Sequence, residues 1–146
     1  MPTDADLGPQ LSARLAGLLK RAQAELAALH EELLAPFPIN ARELALLMFL
    51  NAREPESQQQ AARRLGIDRT TMVALTDALE AHGLVVRRPD ETDRRRNVIE
   101  LTDAGRTTLR EATRASDEAE RRLLAELDDA EAAQFRSLLR RIGAPG

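Results

Sequence analysis

Hydrophobic residues recur at steps of three and four along much of the chain, which is the spacing of one face of an α-helix. The first such stripe spans residues 11–34, and Pro36 and Pro38 end it. It predicts one long amphipathic helix over this range. Its apolar positions are Leu11, Leu15, Leu18, Ala22, Leu26, Leu29 and Leu33.

The next segment predicts a buried helix. Asn40 can cap it, with Glu43 at the reciprocal position of a capping box. Residues 44–50 are apolar almost all round, reading Leu-Ala-Leu-Leu-Met-Phe-Leu. A helix without a polar face is buried, so we expect this one at the centre of the fold.

Two short helices separated by a glycine come next. Ser57 and Gln60 form a second capping box, and the helix that they begin is expected to stop at Gly66. Asp68 caps the following helix, which is predicted to run to about His82. Its apolar residues stand at helical steps and are expected to face the core: Met72, Leu75 and Leu79.

After Gly83 the pattern changes from helical to extended. Residues 84–88 and 97–101 are short and rich in β-branched side chains, and they bracket a polar loop over residues 89–96. This arrangement predicts a two-stranded hairpin with a long charged tip.

Two further helices complete the pattern. Thr102 caps a fifth helix, which is expected to extend to about Leu127, and Asp128 with Glu131 begins a sixth. The sixth closes with cations followed by glycine, as helix C-termini favour. These closing residues are Arg140, Arg141 and Gly143.

The predicted fold is mainly α with a small β-hairpin, in a single domain over residues 1–146. A winged helix-turn-helix occupies residues 40–101, flanked by helices over 9–35 and 102–143. A homodimer would bury the apolar residues of both flanking regions, and an intrachain bundle within a monomer is the alternative. The C-terminal apolar set is Leu123, Leu124, Leu127, Phe135, Leu138, Leu139 and Ile142.

Composition narrows the class of protein. Hydrophobic residues make up 43% of the chain and aromatic residues 2%, so a core is expected and it must be aliphatic. The absence of cysteine excludes disulfides, and two histidines give no metal-binding cluster. No stretch approaches ~20 apolar residues, and the acidic N-terminus is unlike a signal peptide. We expect a cytoplasmic protein with no membrane partner, metal or cofactor.

The placement of charge matters more than its sum. A net charge of −3 argues against a nucleic-acid partner. The segment Arg63–Arg96, however, holds eight arginines and six acids, and most of the excess acid lies in the flanking helices. The local pattern therefore favours DNA binding although the total does not.

The first turn of the helix that Asp68 caps offers groups that suit DNA. Arg69, Thr70 and Thr71 stand where side chains can meet base edges and where backbone N–H groups favour phosphate. An ordinary amphipathic helix with a good cap explains the same residues, so this segment alone leaves both interpretations open.

The loop between the two strands distinguishes better between DNA binding and a purely structural role. Arg94, Arg95 and Arg96 are adjacent, repel one another and serve no purpose in a core. Arginine inserted into a narrow minor groove reads DNA shape, and Asp93 can pair with one guanidinium and fix its direction. A solvated charged hairpin is the alternative.

From about Arg42 to Arg110 the chain resembles the MarR (multiple antibiotic resistance regulator) family of winged-helix transcription factors. The Asp-x-Arg wing followed by Leu-Thr-x-x-Gly is the most specific part of the resemblance. The matching segments are Leu-Gly-Ile-Asp-Arg-Thr-Thr-Met, Leu-Glu-Ala-His-Gly-Leu-Val-Val-Arg, Asp93-Arg94-Arg95 and Leu101-Thr102-Asp103-Ala104-Gly105-Arg106.

The resemblance implies a triangular homodimer that binds a pseudo-palindromic operator in double-stranded DNA. It places the helix capped by Asp68 in the major groove and Arg95 in the minor groove, oriented by Asp93. Members of the family commonly repress transcription and are released by a small ligand, frequently an anionic aromatic compound.

The chain departs from the family's common pattern at three positions. Val73 and Ala74 stand where many members have Ser or Thr and then Arg, and Ala61 stands where the family often has Leu. Base readout is therefore expected to rest on the first helical turn, with apolar contacts to thymine methyl groups. The predicted DNA-binding residues are Ser57, Gln58, Arg69, Thr70, Thr71, Val73, Ala74, Asp93, Arg94, Arg95 and Arg96.

The candidate ligand-binding residues are His30, Phe37 and Met48. His30 lies near the end of the first predicted helix, where the ligand pocket of the family borders the second helix. Core packing is the alternative for Phe37 and Met48, and core filling or an interface position is the alternative for His30.

We therefore expect a homodimeric, sequence-specific DNA-binding transcriptional regulator that acts as a ligand-responsive repressor. The alternative is a winged-helix module that binds a protein partner and has lost DNA binding, which the overall acidity and the missing mid-helix arginine motivate. An enzyme is disfavoured because the sequence has no cysteine, no Gly-rich phosphate loop and no evident Ser-His-Asp set.

Overall fold

The computed structural model describes residues 4–143, which form eight helices and three strands in two compact units. One unit holds His30–Ser116, and the other holds the described chain up to Leu29 and from Asp117 onward. The elements in order are α1 (Asp4–Leu7), α2 (Pro9–Ser12), α3 (Leu15–Leu34), α4 (Ala41–Asn51), β1 (Glu56–Ser57), α5 (Gln58–Leu65), α6 (Arg69–Ala81), β2 (Val85–Pro89), β3 (Asn97–Leu101), α7 (Asp103–Leu123) and α8 (Asp129–Gly143).

The prediction of one continuous helix from residue 11 is wrong at its start. α2 ends at Ser12, and α3 begins only at Leu15. The backbone at this break passes so close to α3 that a Cβ atom on Gly17 would lie 2.9 Å from the carbonyl oxygen of Leu11. A spacing pattern alone cannot reveal such a break, because Leu11 and Leu15 keep the helical step across it.

The predicted central helix is confirmed. Asn40 and Glu43 cap α4 reciprocally, with the Glu43 N–H donating to Asn40 Oδ1 at 2.9 Å and the Asn40 N–H donating to Glu43 Oε1 at 3.0 Å. Around α4 lies one aliphatic core. The largest fully buried side chains are Leu46, Leu47, Met72, Leu79, Ile99 and Thr76.

The hairpin is confirmed, but the sheet has a third strand that the sequence analysis missed. β1 pairs antiparallel with β3, which places Glu56 opposite Ile99. Two residues are too short a strand to show any periodicity. The first predicted strand is also displaced by one residue, because the N–H of Leu84 donates to the carbonyl of Leu79 and so completes the turn that ends α6.

The last two helices begin as predicted, and the fifth ends earlier. α7 stops at Leu123 rather than near Leu127. The predicted capping pair of α8 is present, since the Glu131 N–H donates to Asp128 Oδ1 at 2.8 Å and the Asp128 N–H donates to Glu131 Oε1 at 3.1 Å. Across residues 4–143, no helix combines the length and the apolar character that crossing a membrane requires.

Candidate nucleic-acid interface

The helix-turn-helix is built by local capping. Ser57 and Gln60 form the predicted capping box at the start of α5, and Gly66 ends this helix in the left-handed conformation, with φ of 68°. Only glycine adopts this conformation readily. α6 then begins at the Asp68 cap, whose Oδ1 accepts the Thr71 N–H at 2.7 Å.

The Asp68 cap also determines which side chains in the first turn of α6 are engaged in hydrogen bonds with it and which are not. The Thr71 hydroxyl donates to Asp68 Oδ2 at 3.0 Å, so this side chain is engaged in the cap. These hydrogen bonds, led by the backbone N–H of Thr71, hold the pKa of Asp68 below its ordinary value. Arg69 and Thr70 remain exposed.

The two faces of α6 are sharply different. Met72, Thr76 and Leu79 are fully buried, and the Thr76 hydroxyl donates to the carbonyl of Met72 at 2.7 Å. On the outer face Thr70 and Ala74 are exposed. The predicted core-facing role of Met72 and Leu79 is confirmed, and Leu75 is partly buried against the same core.

The wing consists of β2, β3 and the loop between them. At its tip, Asp93 contacts two of the neighbouring arginines. Its Oδ1 accepts both the backbone N–H of Arg95 at 3.1 Å and the Nε–H of Arg95 at 3.2 Å. Arg96 Nε lies 3.7 Å from the other carboxylate oxygen. The Arg95 side chain is nevertheless 91% exposed, so Asp93 holds the Nε edge of the guanidinium while the rest of the group faces solvent.

The loop that leads to this tip is also ordered by its own side chains. Asp90 Oδ1 accepts the Thr92 N–H at 3.0 Å and the Thr92 hydroxyl at 2.9 Å. These two bonds are the main reason that the pKa of Asp90 lies below its ordinary value. The backbone N–H of Asp90 then donates to the carbonyl of Arg96, which closes the loop.

A cleft of about 510 Å³ lies between α5, the start of α6 and the wing. Four of its lining residues are arginines and none is acidic, so it concentrates positive charge in a chain whose net charge is −3. The charged and polar lining residues are Arg63, Arg69, Arg95, Arg96, Ser57, Gln58, Gln59 and Asn97.

The structure brings together some of the predicted residues and not others. In the cleft lie five of them: Ser57, Gln58, Arg69, Arg95 and Arg96. Outside its lining stand the remaining six: Thr70, Thr71, Val73, Ala74, Asp93 and Arg94. Ser57 is 5% exposed, and its hydroxyl is engaged with Gln60. Three further lining residues were not predicted from the sequence: Gln59, Arg63 and Asn97. Only Arg63 carried a signal, as a cation three residues before Gly66.

The Leu-Thr-x-x-Gly segment anchors the wing to the end of α6. The Thr102 hydroxyl donates to the carbonyl of Gly83 at 2.6 Å and accepts the Gly105 N–H at 3.0 Å. The backbone N–H of Thr102 donates to the carbonyl of Leu84 at 3.0 Å. A Cβ atom at position 105 would lie 2.0 Å from the Leu84 oxygen, so the junction requires glycine.

The three candidate ligand-binding residues have different surroundings. His30 Nε2 lies 2.9 Å from the Ser116 hydroxyl, in a part-buried contact between α3 and α7. Phe37 is partly buried against the core, and Met48 is 38% exposed. None of the three lines the arginine-rich cleft.

Over the part of the chain that the structure describes, no group of three or more His, Asp or Glu side chains could hold a metal ion.

Comparison with known proteins shows which proteins this chain resembles. Residues 37–96 match the sequence model of the MarR family. Over 142 residues the chain is 30% identical to the HTH-type transcriptional regulator PecS of Dickeya dadantii (strain 3937), and this alignment covers 95% of the chain and 84% of PecS.

Solved structures agree with the sequence comparison. The transcriptional repressor CouR bound to a 23-mer DNA duplex is 35% identical with a TM-score of 0.85, over 91% of this chain and 94% of that chain. CouR from Rhodococcus jostii RHA1 bound to p-coumaroyl-CoA is 31% identical with a TM-score of 0.78, over 93% and 96% of the two chains.

Proposed function

Because this chain belongs to the MarR family of DNA-binding transcriptional regulators, we propose that it is a repressor whose homodimer binds a pseudo-palindromic operator in the cytoplasm. We further propose that a small anionic aromatic compound releases it. Residues 40–101 supply the winged helix-turn-helix, and the helices over 9–35 and 102–143 supply the dimer contacts.

The observation that carries the proposal is the arginine-rich cleft. Four guanidinium groups without an acidic lining residue form a surface that suits the phosphate backbone, which supplies much of the affinity of DNA-binding proteins. The cleft joins the first turn of α6 to the tip of the wing. One duplex could therefore contact both elements.

Base recognition is divided between the two grooves. The outer face of α6 enters the major groove, where Arg69 and Thr70 meet base edges and Ala74, with the half-buried Val73, contacts thymine methyl groups. Arg95 enters the minor groove, and Asp93 orients it by accepting its backbone N–H and the Nε–H of its guanidinium. Arg94 and Arg96 contact the neighbouring phosphates.

The dimer follows from the apolar residues that a single chain leaves exposed. Both ends of the sequence contribute, and pairing two copies removes this surface from water. These residues are Leu11, Leu15, Leu18, Leu19, Phe135, Leu138, Leu139 and Ile142. The α6 helices of the two subunits would then meet half-sites one helical turn apart, which accounts for a pseudo-palindromic operator.

The proposed effector is an anionic compound with an aromatic group. CouR was solved with p-coumaroyl-CoA bound, which is an anionic compound with an aromatic group. We assign the effector contacts to His30, Phe37 and Met48. A panel of aromatic carboxylates and their thioesters, added to the protein–DNA complex, tests this assignment through release of the duplex and through loss of that release in a His30→Ala variant.

DNA binding itself is tested with a duplex from the region upstream of the chain's own gene. The affinity should fall steeply with salt, because each neutralised phosphate lowers the log–log slope by about 0.9. Binding should also be lost when the sequence of the duplex is scrambled. A folded dimer that binds no upstream duplex at low salt would contradict the proposal and favour a protein partner.

A further inference from the structure

Arg87 on β2 joins three elements of the central unit, which is the unit that holds His30–Ser116, through one guanidinium group. Its Nη2 lies 2.6 Å from Asp77 Oδ1, and its Nη1 lies 2.7 Å from Glu80 Oε1, both on α6. Its Nε donates to the side-chain oxygen of Gln58 at the start of α5, at 3.3 Å. Each of its three nitrogens therefore has a protein acceptor.

These contacts differ from an ordinary surface ion pair. The Arg87 side chain is only 20% exposed, and it engages two carboxylates at once. The planar, forked guanidinium holds such partners in a fixed geometry, which lysine cannot reproduce. The neighbouring Arg88 is 63% exposed and lies 3.4 Å from Glu100 on the adjoining strand, so it does not connect the wing to α6.

The position of Asp77 gives the contact a second consequence. Thr70, Ala74 and Asp77 follow one another at steps of four and three, so they share the outer face of α6. An unpaired carboxylate there would repel the phosphates of a duplex in contact with that face. Pairing with Arg87 neutralises it.

We propose that Arg87 is a positioning residue for DNA recognition, which fixes the wing relative to α6 so that Arg69 and Arg95 engage their two grooves in one binding event. In this proposal Arg87 acts through its contacts with Gln58, Asp77 and Glu80 and not through a contact with DNA. The proposal rests on the proposed roles of Arg69 and Arg95 in the two grooves.

The test compares variants on a duplex that the wild-type protein selects from a random-sequence library. Arg87→Met removes the donors and keeps the length of the side chain, and Arg88→Met is its matched control on the same strand. We expect Arg87→Met to weaken binding about tenfold or more, which is within the range of coupling between residues in one network. Arg87→Lys should recover part of the loss.

Two readouts separate positioning from a phosphate contact and from general destabilisation. The log–log salt slope of Arg87→Met should equal that of the wild type, whereas loss of a phosphate contact would change it by about 1. The loss of affinity caused by Arg95→Ala should be at least about threefold smaller in the Arg87→Met background, because a wing released from α6 already contributes less. Additive losses or a reduced slope would overturn the proposal.

A double variant gives opposite changes in DNA affinity for the two possible roles of the carboxylates. Asp77→Asn combined with Glu80→Gln removes two negative charges from α6 and leaves Arg87 in place. If these carboxylates only repel DNA, affinity must rise. If they hold Arg87 in position, affinity must fall as it does in Arg87→Met, and a rise would overturn the proposal.

The outcomes also separate this proposal from the proposed function. A wild-type protein that selects no duplex contradicts DNA binding itself. A wild-type protein that selects a duplex, together with Arg87→Met and Asp77→Asn/Glu80→Gln variants that bind it equally well, contradicts only the role of Arg87.

Discussion

At the scale of single residues, two aspartates control neighbours that face the proposed DNA surface. Asp93 accepts two hydrogen bonds from Arg95, and Asp68 accepts the backbone N–H and the hydroxyl of Thr71. In both cases the acceptor lies two or three residues from its donor. The sequence predicted a cap at Asp68 and a pairing of Asp93 with one neighbouring guanidinium, since such short-range geometry depends little on the rest of the fold.

The Asp68 cap makes stability depend on pH. Its pKa lies below the ordinary value of 3.8 because the charged form accepts the Thr71 hydrogen bonds. The stabilisation is therefore fully present above pH 3.8 and is lost as the pH falls through the lower value of the folded state. Asp68→Asn keeps a capping oxygen but does not titrate.

We expect the free energy of unfolding of Asp68→Asn, measured by urea titration, to fall less than that of the wild type as the pH drops from neutral to acid. A residual fall is expected in the variant, because the pKa values of Asp90 and Glu118 are also lowered. Parallel curves for the two proteins would show that the Asp68 cap does not contribute through its charge.

At the scale of elements, helix caps were predictable and contacts between elements were not. The caps at Asn40, Ser57 and Asp68 follow from side chains three residues apart, and all three are present. The pairing of β1 with β3 and the cleft between α5 and the wing join residues about forty positions apart. No local pattern encodes those contacts, which is why the contributions of Gln59 and Asn97 to the cleft were missed.

The junction of α7 with the end of α6 gives a prediction for stability. Gly105→Ala should destabilise the central unit by about 2 kcal/mol or more, since overpacking typically costs about 1–3 kcal/mol and the atom in the way is a backbone oxygen 2.0 Å from the new Cβ. Gly143→Ala is the control, because a Cβ there meets nothing within 4 Å. Equal unfolding midpoints in urea for Gly105→Ala and the wild type would show that the junction has room.

At the scale of the whole molecule, the exposed apolar side chains are expected to contact a second subunit, whereas the polar wing is expected to contact DNA. Leu138 is 45% exposed and Leu139 37% exposed on α8, on a helix with no buried residue. Such a surface is explained by a second subunit. The affinity for an operator would then depend on both subunits binding together.

The dimer is tested by a charge on this face. Leu138→Asp should leave the chain folded, because the position is exposed, but it should produce monomers in sedimentation experiments. Operator affinity should then fall by about 100-fold or more, the range that bivalent binding provides. Ser137→Asp places the same charge on the next residue of α8 and should remain dimeric. A dimeric Leu138→Asp variant would exclude α8 from the interface.

The proposed recognition of DNA by Arg95 at the tip of the wing is tested by the affinity of Arg95→Ala for the selected duplex. Each of the two wings of a dimer should lose about 1–3 kcal/mol, so binding should weaken about 30-fold or more while the protein remains dimeric. Arg110→Ala, an equal change of charge at an exposed site on α7, is the control. Equal affinities of Arg95→Ala and Arg110→Ala for this duplex would show that Arg95 does not read DNA.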